Sequence, residues 1–253
     1  MFGSDLIEDR VINPKQKGPA IVPFITAGYP NKDDFLSLVK SLANCADVIE
    51  IGVPFSDPMA DGVTIQRSSH AAIESGVRLR WILKQLKTIS IDTPIILMSY
   101  LNPLFVYGYT ELAQDSKDAG VDGFIVPDLP IEEGEELRKI MKQEGLGMIQ
   151  LVTPATPVER IKKIAEKSSG FLYAVTMKGV TGGSGWLPKE VTSYLKVVKS
   201  HTTIPVCAGF GVRSSNDVAL LEPFVDGVIV GSALVEAIED QASPIDFLNS
   251  LRF

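Results

Sequence analysis

Cysteine and histidine are scarce, with two of each in 253 residues. Cys45 and Cys207 lie far apart and form no CxxC or metal-ligand spacing, so neither a disulfide framework nor a thiolate metal site is expected, and both are read as reduced. His70 and His201 fall in or beside predicted helices, away from strand ends. That placement argues against a histidine general base or metal cluster and assigns both to surface or packing roles. Positive charge is also in deficit: 24 Lys and Arg against 31 Asp and Glu give a formal net charge of -7 and a pI near 5.0. A polyanion such as nucleic acid, or an anionic membrane, needs clustered cations and is therefore a poor partner. No apolar run approaches the roughly 20 residues of a membrane helix, and Met1 to Arg10 has no signal-peptide core. The expectation is a soluble cytoplasmic protein.

What is present is a repeating pattern. Eight Val- and Ile-rich runs read as strands: Ala20 to Thr26, Asp47 to Gly52, Ile95 to Tyr100, Gly123 to Pro127, Met148 to Val152, Phe171 to Thr176, Ile204 to Ala208 and Gly227 to Val230. Between them, segments such as Asp33 to Ala43, Ile131 to Glu144, Pro157 to Lys167, Pro188 to Lys199 and Ser214 to Leu221 carry apolar residues at helical spacing. Pro157 and Pro188 suit first turns, Gly145 and Gly170 suit helix stops, and Glu132, Glu133, Glu135 and Glu136 read as a solvated first turn. Eight βα units without a composition break predict a single (β/α)8 TIM barrel over residues 1–253, with a short extra N-terminal helix; a doubly wound sheet is the alternative. In such a barrel, functional groups belong at strand C-terminal ends and in the loops that follow.

The unusual residues fall there. Alternation along the second strand sends Val48, Glu50 and Gly52 inward and Ile49, Ile51 and Val53 toward the helices, so Glu50 is a carboxylate inside the barrel near its upper rim. Desolvation there raises a carboxyl pKa and lets the group give as well as take a proton. Asp61 follows in a polar loop, where a wetter environment suits a different role. The alternatives are structural: Glu50 held by a neighbouring Lys or Arg, and Asp57 or Asp61 serving a turn or a helix cap. Glycine loops follow the last three strands, at Gly179 to Gly185, Gly209 to Gly211 and Gly231. Backbone amides there, with the start of a helix near Gly231, can hold a phosphate ester without any Lys or Arg. The loop at Gly179 to Gly185 reads either as a surface loop or as a lid. A third glycine and a GxxxxGK[ST] pattern are missing, which disfavours nucleotide folds. Trp81 and Trp186 form no stacking platform, and Lys178 reads as a solvated lid residue with a Schiff base as its alternative.

Over nearly its whole length the chain resembles the tryptophan synthase α subunit. The residues that carry the resemblance are Pro23 to Gly28, Glu50 to Pro58 with Ala60-Asp61-Gly62, Ile65-Gln66, Tyr100 to Pro103, Gly179 to Gly182, Gly209-Phe210-Gly211 and Gly231-Ser232-Ala233. The resemblance implies retro-aldol cleavage of indole-3-glycerol phosphate to indole and glyceraldehyde 3-phosphate, in tryptophan biosynthesis. No cofactor is implied in this subunit, and pyridoxal phosphate belongs to a β subunit with which it forms an α2β2 heterotetramer. By match to the family motif, Glu50 carries the proton transfers, Asp61 accepts the ring N–H, and Thr181 holds Asp61 on lid closure. Phe24, Tyr100, Tyr173 and Phe210 are candidates for the indole walls; Gly182, Gly211, Gly231 and Ser232 for the phosphate; and Pro54, Phe55, Ser56, Asp57, Pro58, Asn102 and Pro103 for the partner surface. Bacterial relatives often carry an Arg just before the lid, where this chain has Thr176-Met177-Lys178, a departure that bears on lid closure and phosphate steering. Two other readings stand beside the lyase: a catalytically weak α subunit that acts mainly as an allosteric activator of its β partner, and another sugar-phosphate barrel enzyme.

Overall fold

The Val- and Ile-rich runs form eight strands in the computed structural model, which describes residues 2–175, 189–209 and 211–252. They are β1 (Ala20–Thr26), β2 (Ile49–Gly52), β3 (Ile95–Met98), β4 (Gly123–Ile125), β5 (Gly147–Val152), β6 (Leu172–Val175), β7 (Val206–Gly209) and β8 (Gly227–Val230). Each pairs in parallel with the next and β8 returns to β1, which closes the barrel. The helices around it are α1 (Gly3–Ile12), α2 (Phe35–Ala43), α3 (Val63–Glu74), α4 (Leu79–Leu86), α5 (Leu101–Tyr107), α6 (Tyr109–Asp118), α7 (Glu135–Gln143), α8 (Val158–Lys167), α9 (Lys189–Ser200), α10 (Ser215–Leu221), α11 (Ser232–Glu239) and α12 (Pro244–Ser250). The fold is a (β/α)8 TIM barrel. Among the described residues, no helix is long and apolar enough to cross a membrane.

Strands β1 and β8 run over the residues expected from sequence, and the others differ at their ends. β3 stops at Met98 rather than Tyr100, because Tyr100 is already the N-cap of α5 and the Leu101 amide donates to Asp128 Oδ1 at 2.9 Å. Glu132 and Glu133 lie in the turn before α7, so only Glu135 and Glu136 occupy its first turn. Pro157 is extended (φ -61°, ψ 150°) and caps α8 instead of entering it. Asp33 sits in a 3-10 turn, Lys32–Asp34, that leads into α2. Ser214 stands one residue outside α10, where it and Asp217 form a reciprocal capping box.

Two apolar clusters follow from strand alternation. Val48, Ile96, Ile125, Ile149, Phe171, Cys207 and Ile229 point inward, and α1 closes the barrel floor beneath them with Ile7 and Val11. Ile49, Ile51, Leu97, Phe124 and Leu172 point outward into the layer under the helices. The floor depends on an absent side chain: a Cβ at Gly170 would lie 2.8 Å from Ile7 Cγ2. Carboxylates join neighbouring strands at their feet, with Asp47 accepting from the Ile21 amide at 2.8 Å, Asp122 from Ile95 at 2.9 Å and Asp226 from Val206 at 2.8 Å. With its floor filled and tied, the barrel keeps its polar groups of interest at the opposite end.

Candidate active site

Glu50 sits on β2 between Phe24 of β1 and Ile96 of β3, with its side chain turned into the barrel. It is 1% exposed, and its Oε2 has no hydrogen-bond partner. A cation that would make this carboxylate purely structural is missing among the described residues. Burial, and then the nearby charge of Asp61, push its carboxyl from 4.5 to about 8. At neutral pH the group is therefore largely protonated and can donate before it accepts.

Asp61 lies at the mouth, half-buried, in the loop between β2 and α3. Burial raises its carboxyl, and the Tyr100 hydroxyl opposes that rise. The cap of α3 is Gly62, with no side-chain hydrogen bond, so the Asp61 carboxylate is free of the capping role considered for it. The loop is held by its surroundings. Tyr100 stacks on Phe55 with centroids 5.1 Å apart, its hydroxyl accepts from the Ala60 amide at 2.9 Å, and Gln66 Nε2 donates to the Asp61 carbonyl at 2.8 Å. Tyr100 is thus a strut for the loop as well as a buried wall. Asp57, by contrast, is exposed and accepts from Ser56 Oγ at 2.5 Å.

The aromatic walls are set by glycines. A Cβ at Gly52 would fall 2.4 Å from Phe24 Cζ, so the ring occupies the space that a side chain at that position would fill. A Cβ at Gly209 would likewise meet the Tyr173 hydroxyl at 2.6 Å. Tyr173 is half-buried on β6, and burial followed by the charge of Glu50 raises its phenol well above the ordinary value. Across the mouth, Gly231 caps α11 and Ser232 opens it, both half-buried, with Gly231 in the conformation φ -104°, ψ -93°. The Gly231 carbonyl accepts from Leu234 and Val235, as a first turn requires. This helix start follows the C-terminal end of β8, at the same end of the barrel as the loop that carries Asp61. Thr181, Gly182, Phe210, Lys178 and Trp186 lie outside the described residues.

The site therefore combines a dry, largely protonated carboxyl, a second carboxyl in a wetter loop, aromatic walls, and a helix start suited to an anion. A profile for the family described as tryptophan synthase alpha chain matches residues 12–249. The chain belongs to this family. The tryptophan synthase alpha chain of Carboxydothermus hydrogenoformans is 44% identical over 87% of this chain and 84% of its own length, and that of Desulfosudis oleivorans 42% identical over 96% and 92%. Among solved structures, the tryptophan synthase subunit alpha of Legionella pneumophila superposes with a TM-score of 0.87 at 34% identity, covering 100% of this chain and 97% of that one. A tryptophan synthase complex from Pyrococcus furiosus gives 0.81 at 37% identity, covering 92% and 97%.

Around this tryptophan synthase alpha barrel, the surface residues sort unequally. Ser56, Asp57 and Asn102 are exposed and Phe55, Pro58 and Pro103 half-exposed, whereas Pro54 is buried. Pro54, expected on the partner surface, is the one of these residues that is buried in the single chain. Sequence reading missed the apolar side chains beside them: Met59 is 80% exposed, Val63 72%, Phe105 67% and Val106 75%. The signal was available in Phe105 and Val106, adjacent apolar residues in a short helix that buries only Leu104 and Tyr107. His70 is exposed on α3, 3.7 Å from Glu74, where it lines a surface pocket with Phe55, Ser56 and Pro58, and His201 Nδ1 is 2.7 Å from the Val197 carbonyl; neither lies at a strand end. Among the described residues, no group of three or more His, Cys, Asp or Glu side chains is placed to hold a metal ion.

Proposed function

We propose that this chain is a carbon-carbon lyase that cleaves indole-3-glycerol phosphate to indole and glyceraldehyde 3-phosphate. The observation that carries the reading is Glu50, a fully buried carboxyl whose Oε2 has no hydrogen-bond partner among the described residues and whose proton is retained to about pH 8. Glu50 gives that proton to C3 of the indole ring, and Asp61 accepts the ring N–H as the nitrogen gains positive character. The resulting Glu50 carboxylate takes the proton of the side-chain hydroxyl. The carbon-carbon bond then breaks, its electron pair returns to the ring, and the oxygen closes onto its carbon as an aldehyde. Glu50 ends protonated, ready for another cycle. One residue serves as acid and then base because its pKa lies near the operating pH.

Phe24 and Tyr173 flank the position where the ring would lie, and the amides of Gly231 and Ser232, with Gly211, suit the phosphate. Thr181, Gly182 and Phe210 complete the set by family match. For the partner, the exposed apolar group Met59, Val63, Phe105 and Val106, with Ser56 to Pro58 and Asn102-Pro103, is the surface suited to a β subunit. The Pyrococcus furiosus relative is described as an a2b2 complex with mutual activation. In such an assembly the pyridoxal phosphate chemistry is the β subunit's. Assaying the chain alone and with its β subunit for indole release from indole-3-glycerol phosphate tests the reading. Indole release that rises in the complex supports it; β activation with no indole release in either form overturns it.

A further inference from the structure

We propose that the underside of the barrel, opposite the carboxylate site, carries a second anion site for a phosphate group, in the cavity between the α1–β1 connection, the end of α2 and the turn before β3. The cavity holds about 630 Å³ and is lined by Arg10, Lys15, Lys40, Asn44, Asp92 and Thr93 among others. Three cations thus face one acid. Among the described residues, neither Arg10 nor Lys40 forms an ion pair. The third cation is fixed in place without being neutralised: Lys15 Nζ donates to the Ala43 carbonyl at 2.6 Å and to Thr93 Oγ1 at 2.8 Å, both uncharged acceptors. An ammonium has three N–H donors, so one remains for a ligand.

The nearest buried carboxylate is already committed. Asp47 accepts from the Lys15 amide at 2.7 Å, the Ile21 amide at 2.8 Å and Arg252 Nη2 at 3.0 Å. Arg252 adds further positive charge; its side chain is 8% exposed, and its Nη1 is buried without a partner. The crowding is felt at Lys15, whose ammonium is pushed down by partial desolvation and then by Arg10. Against a net charge of -7 for the whole chain this local surplus stands out, and two hydrogen bonds hold the Lys15 ammonium in place. A dianion with several terminal oxygens matches Arg and Lys donors that line one cavity. The cavity is open to solvent on one side and has room for a phosphate or a small phosphate ester. Nothing in this inference depends on the chemistry assigned to Glu50 and Asp61.

The test is an amide NMR titration of the full ¹⁵N-labelled chain with inorganic phosphate, and separately with glycerol phosphate. Asn44, Ile91, Asp92 and Thr93 report the underside, while Gly231 and Ser232 report the mouth. Saturable shifts at the four underside amides are expected, weakened about tenfold or more in the Arg10→Ala/Lys40→Ala double variant with the mouth shifts unchanged. Both substitutions are at the rim of the cavity and leave the Asp47 cluster intact. Shifts with both anions assign the site to the phosphate group itself, and shifts with glycerol phosphate alone assign it to esters. Underside shifts that chloride reproduces at matched ionic strength, or that the double variant leaves unaltered, overturn the proposal.

Discussion

Replacing Glu50 by Gln should change how stability depends on pH, in a direction and amount set by burial. The folded protein holds the Glu50 carboxyl at about 8 against an ordinary 4.5, chiefly because it is buried and secondarily because Asp61 is near. As pH rises past 4.5 the unfolded chain releases this proton, while the folded protein keeps it until about pH 8. Stability from this group is therefore fully present at acid pH and is lost as pH rises through that window. At 1.36 kcal/mol per pH unit, the loss amounts to about 5 kcal/mol by the alkaline end. Gln has no proton to release and preserves the shape of the side chain. Urea denaturation of both proteins from about pH 5 to about pH 9 should show the wild type losing stability relative to Glu50→Gln, with most of the difference developed by about pH 8. Subtracting the two profiles removes the contribution of every other titrating group whose pKa the substitution leaves alone. Profiles that stay parallel across the range would refute the claim that Glu50 is held protonated by its surroundings.

Two further substitutions test how the site is held. Gly52→Ala puts a Cβ 2.4 Å from Phe24 Cζ, so the ring must move toward the mouth; the expected cost is about 1–3 kcal/mol of stability by denaturation, with a raised KM. Tyr100→Phe removes the acceptor for the Ala60 amide while keeping the stack on Phe55, which should cost about 0.5–1.5 kcal/mol and lower kcat by freeing the Asp61 loop. Unchanged kcat in Tyr100→Phe would show that the hydroxyl has no part in placing Asp61.

Much of this molecule is legible before any coordinates, for identifiable reasons. The eight runs of branched residues alternate cleanly, so the inward direction of Val48 and Glu50 and the outward direction of Ile49 and Ile51 follow from a period of two. The closed barrel follows from the repeat of βα units, and the buried state of Glu50 from its place inside an apolar run. What escaped depends on contacts between distant segments. Asp128 capping the Leu101 amide ends the third strand early, and no local pattern announces a partner 27 residues away. Pro54 reads as loop from its proline and lies outside β2, yet it is buried. The strut formed by Tyr100 and Ala60 joins residues 40 positions apart, so from sequence Tyr100 reads as a wall of the indole pocket and not as a support for the loop. Of the exposed apolar residues, Phe105 and Val106 were legible as neighbours in one short helix, whereas Met59 and Val63 stand singly in a polar stretch.

The most direct test of the account is the rate of indole release by Glu50→Gln in the β complex, measured beside wild type with indole-3-glycerol phosphate. Proton transfer by a positioned carboxyl contributes on the order of 10²–10⁴ to a rate, so kcat should fall by at least about a hundredfold while KM and β binding stay near wild type. Turnover within a few fold of wild type would contradict Glu50 as the acid and base of this barrel.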